Sequence, residues 1–356
     1  MSLMLCLGAL LVQGGYLAWL LSGTPTRAPK MPAGPAPPIT AIVALRNERD
    51  RLPDLAAALR TQTHPDAAIV WVNDHSTDAT ASWLDAHAAP REHEQVVHHA
   101  GPPGKKHALH AGIQAASTAL FAFTDADCSP PPTWLETLAR MHGAQEQAGV
   151  VIGASVESTP HGGLQRLAGY ETWTANTAML AAAQQGAAYM AVGRNLSYAV
   201  SAYHATDGHP AHAYLLSGDD DLFVQAARNA GVSCQPCWHA EAHVPTRPPT
   251  DGRRWLRAQR RHTSTGRAYN TRPALHLSLY YASALVVYLS PLLVGTTGLG
   301  LLAIRALFLA PLLHRMQEIV GAPAPTLLFP LWDAAHVVLR IGVSAFGLLA
   351  PPHAWE

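Results

Sequence analysis

The chain has 356 residues, 49% of them hydrophobic, enough for one large domain or two ordinary ones with a sizeable core. Lys plus Arg and Asp plus Glu balance at 24 each, so the composition lacks the basic excess of a nucleic-acid binder and no nucleic-acid partner is expected. Charged residues are only 13% of the chain, about half the roughly 25% of soluble domains, and the deficit sits at the two ends.

From Ser2 to Ser22 the sequence is apolar and uncharged. That length suits a helix crossing a hydrocarbon core of about 30 Å, which takes roughly 20 residues. The rival reading is a cleaved signal peptide, which wants a basic stretch ahead of the apolar run. Here Arg27 and Lys30 follow it, as on the cytoplasmic side of an anchor. The expectation is an anchor over residues 1–23 with its N-terminus outside. Residues 24–37 are rich in Pro, Ala and Gly and read as a stiff linker, since Pro neither propagates a helix nor donates to a sheet.

After the linker, Thr40 to Leu45 fits a buried strand, and Leu52, Leu55, Ala56 and Leu59 mark a helix from Arg51 to Gln62. Ala68 to Val72 is a second strand, Ala79 to Ala88 a helix, Gln95 to His99 a strand, Lys106 to Ala116 a helix and Leu120 to Thr124 a strand. Such alternation predicts a parallel sheet covered by helices, with ligands bound at the carboxyl ends of its strands. Beyond Leu275, apolar runs at 275–294, 296–313 and 327–350 predict two or three membrane helices, with a re-entrant hairpin as the alternative for the second. Arg305, Asp333, His336 and Arg340 fall inside these runs and should face protein or the interface rather than lipid.

Four cysteines, Cys6, Cys128, Cys234 and Cys237, are too scattered for a disulfide scaffold. Cys234 and Cys237 have the spacing of half a zinc site, but no second pair completes it, so they read as small apolar residues of a strand.

Five polar segments could carry chemistry. Phe121-Ala-Phe-Thr-Asp125-Ala-Asp127 is an apolar strand ending in two carboxylates at i and i+2, which point the same way from a strand and can share one hard cation. A cation there can neutralise a departing diphosphate. Val70-Trp-Val-Asn-Asp74-His-Ser-Thr-Asp78 runs from a strand into a cap for the next helix. Gly104-Lys105-Lys106 delivers two cations to a helix start, where they oppose the dipole unless an anion joins them. Asp219-Asp220-Asp221 packs like charges, which suits a general base and equally a helix N-terminus. Trp255 to Thr263 is a basic amphipathic stretch, a positive-inside flank of the membrane run.

Taken in order, from about Pro38 to Tyr269, these segments resemble family 2 inverting glycosyltransferases. The resemblance implies a GT-A fold, a Rossmann-like, mostly parallel α/β sheet for nucleotide-diphospho-sugars, here with transmembrane helices added. It implies a domain over residues 38–272, and the apolar runs beyond it set a C-terminal membrane region over 273–356. By the same resemblance Glu48, in Ala44-Leu-Arg-Asn-Glu48, lies near the donor base, Asp74 holds uracil or ribose, and Lys105 meets the donor. Asp125 and Asp127 match the DxD pair, both as metal ligands with Asp125 also on the donor side, and the cofactor is a divalent cation, Mg²⁺ or Mn²⁺. Gly193-Arg-Asn195-Leu196 resembles the acceptor-side loop. Asp219 takes the place of the catalytic base, with Asp220 as the second candidate. Gln259, Arg260, Arg261 and His262 sit where processive members carry Gln-x-x-Arg-Trp and would contact the diphosphate, but His262 and Thr263 replace its Arg and Trp. That departure argues against polymer synthesis.

The expected activity is therefore transfer of one sugar, or few, from a nucleotide-diphospho-sugar donor, a UDP-sugar favoured, to a membrane lipid or lipid-linked acceptor. Arg27 and Lys30 on one side and Arg253 to Arg267 on the other place the domain on the cytoplasmic face of the cell membrane, in a multi-pass chain. A sugar-phosphate nucleotidyltransferase would open with a Gly-rich loop after the first strand, and Ala44-Leu-Arg-Asn-Glu48 has no glycine. A non-catalytic membrane scaffold would have no need of all of Asp74, Asp125, Asp127 and Asp219.

Overall fold

The computed structural model describes every residue except 145–147, 158–161, 207, 209–214, 216, 321–327 and 350–356. Its centre is a seven-stranded sheet made by β1 (Ile39–Leu45), β2 (Ala67–Asn73), β3 (Glu94–His98), β4 (Leu120–Phe123), β5 (Ala148–Gly153), β7 (Leu196–Ala199) and β8 (Ser233–Cys237), in the order β3-β2-β1-β4-β7-β5-β8. β1 runs parallel to β2 and β4, and β2 to β3, so these four strands end on one edge. β7 alone is reversed, antiparallel to both β4 and β5. A small second sheet pairs β6 (Ser155–Glu157) with β9 (Val244–Thr246).

The two faces of the sheet separate as strand geometry demands. Ile42, Val70 and Val72 pack with Leu109 and Ile113 of α4 (Lys105–Ala115), while Ala41, Val43 and Trp71 pack with Leu52, Leu55 and Leu59 of α2 (Leu52–Arg60). Alternate residues of each strand thus enter alternate cores, and both faces are covered as a parallel sheet requires. α3 (Thr80–His87) and α5 (Trp134–Gly143) complete the second layer. The expected strands and helices of the N-terminal half are all present, their ends shifted by one or two residues. The cysteine pair lies on β8 as expected, and all four cysteines are free.

The helix α6 (Gly163–Gln184) joins β6 to β7 and buries Tyr170, Trp173, Met179 and Leu180 in the core beneath α4. Then follow α7 (Val200–Ala205), α8 (Asp221–Asn229) and the amphipathic α9 (Gly252–Ser264).

Among the described residues, three helices are long and apolar enough to cross a membrane: α1 (Ser2–Ser22), α10 (Thr271–Val294) and α11 (Thr296–Val320). α1 packs on α10 and α11. α11 is a single helix of 25 residues rather than a short hairpin, because Met316, Ile319 and Val320 carry the buried stripe past Leu313 while His314 and Glu318 turn outward. α12 (Phe329–Leu349) packs against α6, α9 and α10. Arg305 is buried against Asp333 of α12, whose carboxylate also accepts from Tyr170 Oη at 2.9 Å and from the Tyr288 hydroxyl. Gln13 of α1 accepts from Arg305 Nε at 3.1 Å. The charges inside the apolar runs therefore face protein, as their cost in lipid predicts.

Candidate active site

β4 ends at Phe123, and Asp125 and Asp127 stand one turn beyond it, closed by the Cys128 N–H donating to Asp125 O at 3.2 Å. The pair therefore shares a side through a turn and not through the strand pleat, in keeping with the preference of Asp for turns. Cys128, buried beneath, donates weakly to Asp127 Oδ1 at 3.5 Å.

Lys105 opens α4 and reaches across the edge of the sheet. Its Nζ donates to Asp125 Oδ1 at 2.9 Å and lies 3.1 Å from Asp219 Oδ2. Burial alone would lower its pKa, but Asp125, Asp219 and Asp220 outweigh it and hold the ammonium well above its ordinary value. Lys106, the second expected cation, is buried, and desolvation lowers its pKa. The anions that make sense of a cation at this helix start are the protein's own.

Asp74 follows β2 and is fully buried. One oxygen accepts from the Gly104 N–H at 2.8 Å and the other lies 2.9 Å from His75 Nδ1. It fixes the turn ahead of Lys105, where Gly104 has φ 144°, a conformation that a side chain would strain. Glu48 pairs with Arg51 at 2.9 Å, and burial followed by the nearby Asp127 and Asp125 outweighs that pairing and raises its pKa.

The acidic triplet divides. Asp219 faces Lys105. Asp220 caps α8 by accepting from the Asp221 N–H at 2.8 Å, and its other oxygen takes the Gly193 N–H at 2.8 Å. Burial and the adjacent Asp219 push its pKa up to about 6. Asp221 accepts from the Ala191 N–H at 3.2 Å and from the Tyr269 hydroxyl, and burial raises its pKa well above the carboxylate range. Two members of the triplet thus hold the loop before β7, and one points at the site.

In that loop Asn195 is fully buried. It donates to Ala154 O at 2.6 Å and Ala242 O at 2.7 Å, and accepts from Trp134 Nε1 at 2.9 Å. It locks the loop, which presents Arg194 toward Cys128, Asp127 and Asp125.

Residues 40–204 match the family model described as Glycosyl transferase family 2. These residues are similar to family 2 glycosyltransferases. The chain is 25% identical over 202 residues to the glycosyltransferase AglE of Haloferax volcanii, covering 55% of this chain and 63% of that one, so less than two thirds of the relative is spanned. A mannosyltransferase of Pyrobaculum calidifontis, solved with GDP-Man and Mn²⁺, superposes over 99% of both chains with a TM-score of 0.60 at 19% identity, which shows a shared GT-A fold.

The domain built on the seven-stranded sheet meets α9 and the apolar helices along a cleft of ≈ 1840 Å³ lined by Glu48, Lys105, Asp125, Asp127, Arg194 and Asp219. Of the four expected α9 contacts, His262 turns toward Lys105 and Asp219. Desolvation, then Arg261, Arg194 and Lys105, lower its pKa, while the residue itself stays exposed along the cleft. Gln259 also lines the cleft, where its amide donates to Glu171 Oε2 at 3.2 Å and accepts from Arg340 at 3.2 Å. Arg260 stacks on Phe346 of α12, 4.0 Å from the ring centroid.

Glu157 and Glu171 line the same cleft and were not singled out from sequence, because an isolated charge in an unassigned segment carries no pattern, whereas Arg194 falls in the Gly193-to-Leu196 loop that the sequence marked. Glu157 accepts from Thr172 at 3.0 Å and is pushed up to about 7 by burial. Among the described residues no group of three or more His, Cys, Asp or Glu side chains converges on a metal position.

Proposed function

We propose that this protein is a membrane-bound, inverting glycosyltransferase that moves a sugar, one or few at a time, from a nucleotide-diphospho-sugar to a lipid-linked acceptor. The observation that carries this is Lys105, whose ammonium lies between Asp125 of the DxD pair and Asp219 in one cleft. Separate segments of the chain thus bring a diphosphate-side carboxylate, a cation and a candidate base together.

Asp125 and Asp127 offer hard oxygen donors on one partly exposed turn, which fits Mg²⁺ or Mn²⁺ with the remaining ligands coming from diphosphate and water. Such an ion supplies charge neutralisation to the departing nucleoside diphosphate. Lys105 stays cationic at any working pH and, with Arg194, adds fixed positive charge on that side. Asp219 takes the proton of the acceptor hydroxyl as its oxygen attacks the anomeric carbon from the face opposite the diphosphate, which inverts the centre. Asp74, through Gly104, and Asp220, through Gly193, hold the two loops that set this geometry.

Residues 1–23 and 273–356 form the membrane parts, and the basic residues flanking the domain put it on the cytoplasmic side. The test is release of nucleoside diphosphate from a panel of UDP- and GDP-sugars by the full chain in a membrane mimetic, with total membrane lipid as acceptor. Metal-dependent release, abolished by chelator and reduced about 10²- to 10⁴-fold in Asp219→Asn, is expected. Silence across the panel would defeat the reading.

A further inference from the structure

α9 turns a cationic face into the cleft. Arg254, Arg257 and Arg261 recur at spacings of three and four along it, with Arg260 beside them, and all four line the cleft wall. Other cations of the cleft stand in ion pairs: Lys105 with Asp125 and Asp219, Arg340 with Glu171, Arg51 with Glu48 and Arg247 with Asp54. On α9, Arg260 stacks on Phe346, and Arg261 acts on His262. Arg254 and Arg257 are exposed and, among the described residues, enter no ion pair or side-chain hydrogen bond. The carboxylate that acts on both is Asp251, which caps the helix by accepting from the Arg253 and Arg254 N–H groups at 2.8 and 3.3 Å. One capping carboxylate against two guanidinium groups leaves this part of the wall positive.

Two neighbouring guanidinium groups, each a planar fork of donors, suit a phosphate. On the reading above, the donor's diphosphate lies elsewhere, at the DxD turn with Lys105 and Arg194. His262 is the α9 residue on which Lys105 and Asp219 act. Arg257 and Arg254 precede it by five and eight residues, about 7.5 and 12 Å along the helix axis. The two arginines are thus set back from the candidate base by a distance that a sugar can span.

Resting on the transferase reading above, we infer that the acceptor is a lipid phosphate that already carries a sugar: Arg254 and Arg257 hold the phosphate, and a hydroxyl of the sugar reaches Asp219. A bare lipid phosphate does not fit this spacing. Its attacking oxygen would belong to the phosphate itself, which the arginines hold back from Asp219. It would also need no base, since a phosphate monoester, with a second pKa of about 6, is mostly ionised at neutral pH. A sugar hydroxyl needs one. Its oxygen bonds to the anomeric carbon, the bond from that carbon to the diphosphate oxygen breaks, and the electron pair leaves on the nucleoside diphosphate. The proton goes to Asp219, and the acceptor's own phosphate is unchanged. A headgroup of the surrounding membrane offers the same phosphate chemistry, so the test separates the two sources.

The experiment uses the full chain in phosphatidylcholine nanodiscs, which carry no net charge, with the donor found by the panel above. Three acceptors of one chain length are compared: long-chain alkyl hexosides, the same hexosides joined to the chain through a phosphodiester, and the bare alkyl phosphate. The phosphodiester-linked hexoside is expected to show a KM about tenfold or more below that of the plain hexoside, and the alkyl phosphate to accept no sugar. Arg254→Gln combined with Arg257→Gln is expected to collapse that KM ratio while the thermal unfolding curve stays in place. Lys at both positions should keep part of it, because the charge remains and the fork is lost. Equal KM for the two hexosides overturns the phosphate site, and transfer to the alkyl phosphate overturns the pairing of hydroxyl and base. Replacing part of the lipid with phosphatidylglycerol tests the membrane source. A rise in turnover of the plain hexoside that the double Gln variant loses, with no preference for the phosphodiester, assigns the arginines to bulk headgroups and overturns the proposal. Chelator-sensitive donor hydrolysis without acceptor reports the transferase reading separately. Hydrolysis with no transfer to any hexoside sinks this inference alone, and absence of hydrolysis and transfer together sinks both.

Discussion

Two clusters in this molecule join a cation to carboxylate, and they are built for opposite ends. In the cleft Lys105 is shared between Asp125 and Asp219, with side chains 19%, 35% and 9% exposed. Between the helices Arg305 and Asp333 are each 2% exposed, and hydroxyls of Tyr170 and Tyr288 close the carboxylate off. The open cluster has one cation facing two acids and room for a ligand to redistribute them. The closed one has no such freedom and braces α11, α12 and α6 against one another. Burial, more than residue type, separates a working site from a strut.

The comparison breaks most sharply at the open cluster. Asp127→Ala should lower metal-dependent turnover about 10³-fold, several kcal/mol of charge stabilisation, while the thermal unfolding curve stays in place. A variant with full turnover would remove the DxD pair from the mechanism. At the closed cluster the effects should exchange: Asp333→Asn strands a buried guanidinium and should cost about 3–5 kcal/mol of stability. Arg305→Met combined with Asp333→Leu should recover most of that loss, read as a Tm in detergent, and no recovery would refute the strut.

A smaller effect sharpens the picture within the triplet. The Asp220 carboxyl titrates at about 6 in the fold against its ordinary 3.8. The folded state therefore holds its proton longer, and this group's contribution to stability falls as pH rises from about 4 to about 6 and stays low above it. Asp220→Asn keeps an acceptor for Gly193 but has no such dependence. Its Tm measured at pH 4.5 and pH 7.5 should therefore favour the higher pH by a few degrees more than the parent's does. The smallest effect belongs to the Arg247–Asp54 pair, 57% and 72% exposed, where Asp54→Ala should change stability by about 1 kcal/mol or less.

The N-terminal half of the fold was legible because β1, β2 and β4 are short apolar runs, the last two passing into Asn73-Asp74 and Thr124-Asp125, and α2 carries its own buried stripe in Leu52, Leu55, Ala56 and Leu59. The segment from β5 to β7 was not assigned. α6 is buried along nearly its whole length, so it lacks the polar face that would have marked it. The site was legible at Asp125 and Lys105, where a strand end and a helix start fix direction. Gln259 and Arg260 line the cleft too, but their partners were hidden: the period of α9 shows that these residues share a helix, and says nothing of α6 and α12 waiting on the other side. Glu171 and Arg340, 169 residues apart, had no local pattern to join them.

The reversal of β7 has a consequence for how such a chain can diversify. Because β7 runs against β4, the polypeptide enters the sheet at the edge where β1, β2 and β4 leave it, so the loop carrying Gly193 and Arg194 arrives opposite the DxD turn by way of α6. On the function proposed above, the part that would read the donor and the part that would confront the acceptor are consequently separate stretches of sequence, joined through the antiparallel ladder of β4 and β7. Residues 163–195 can therefore vary without disturbing the register of residues 39–127 only together with their partners on α12 and around Asn195, which makes the reversed strand a seam with ties on both sides.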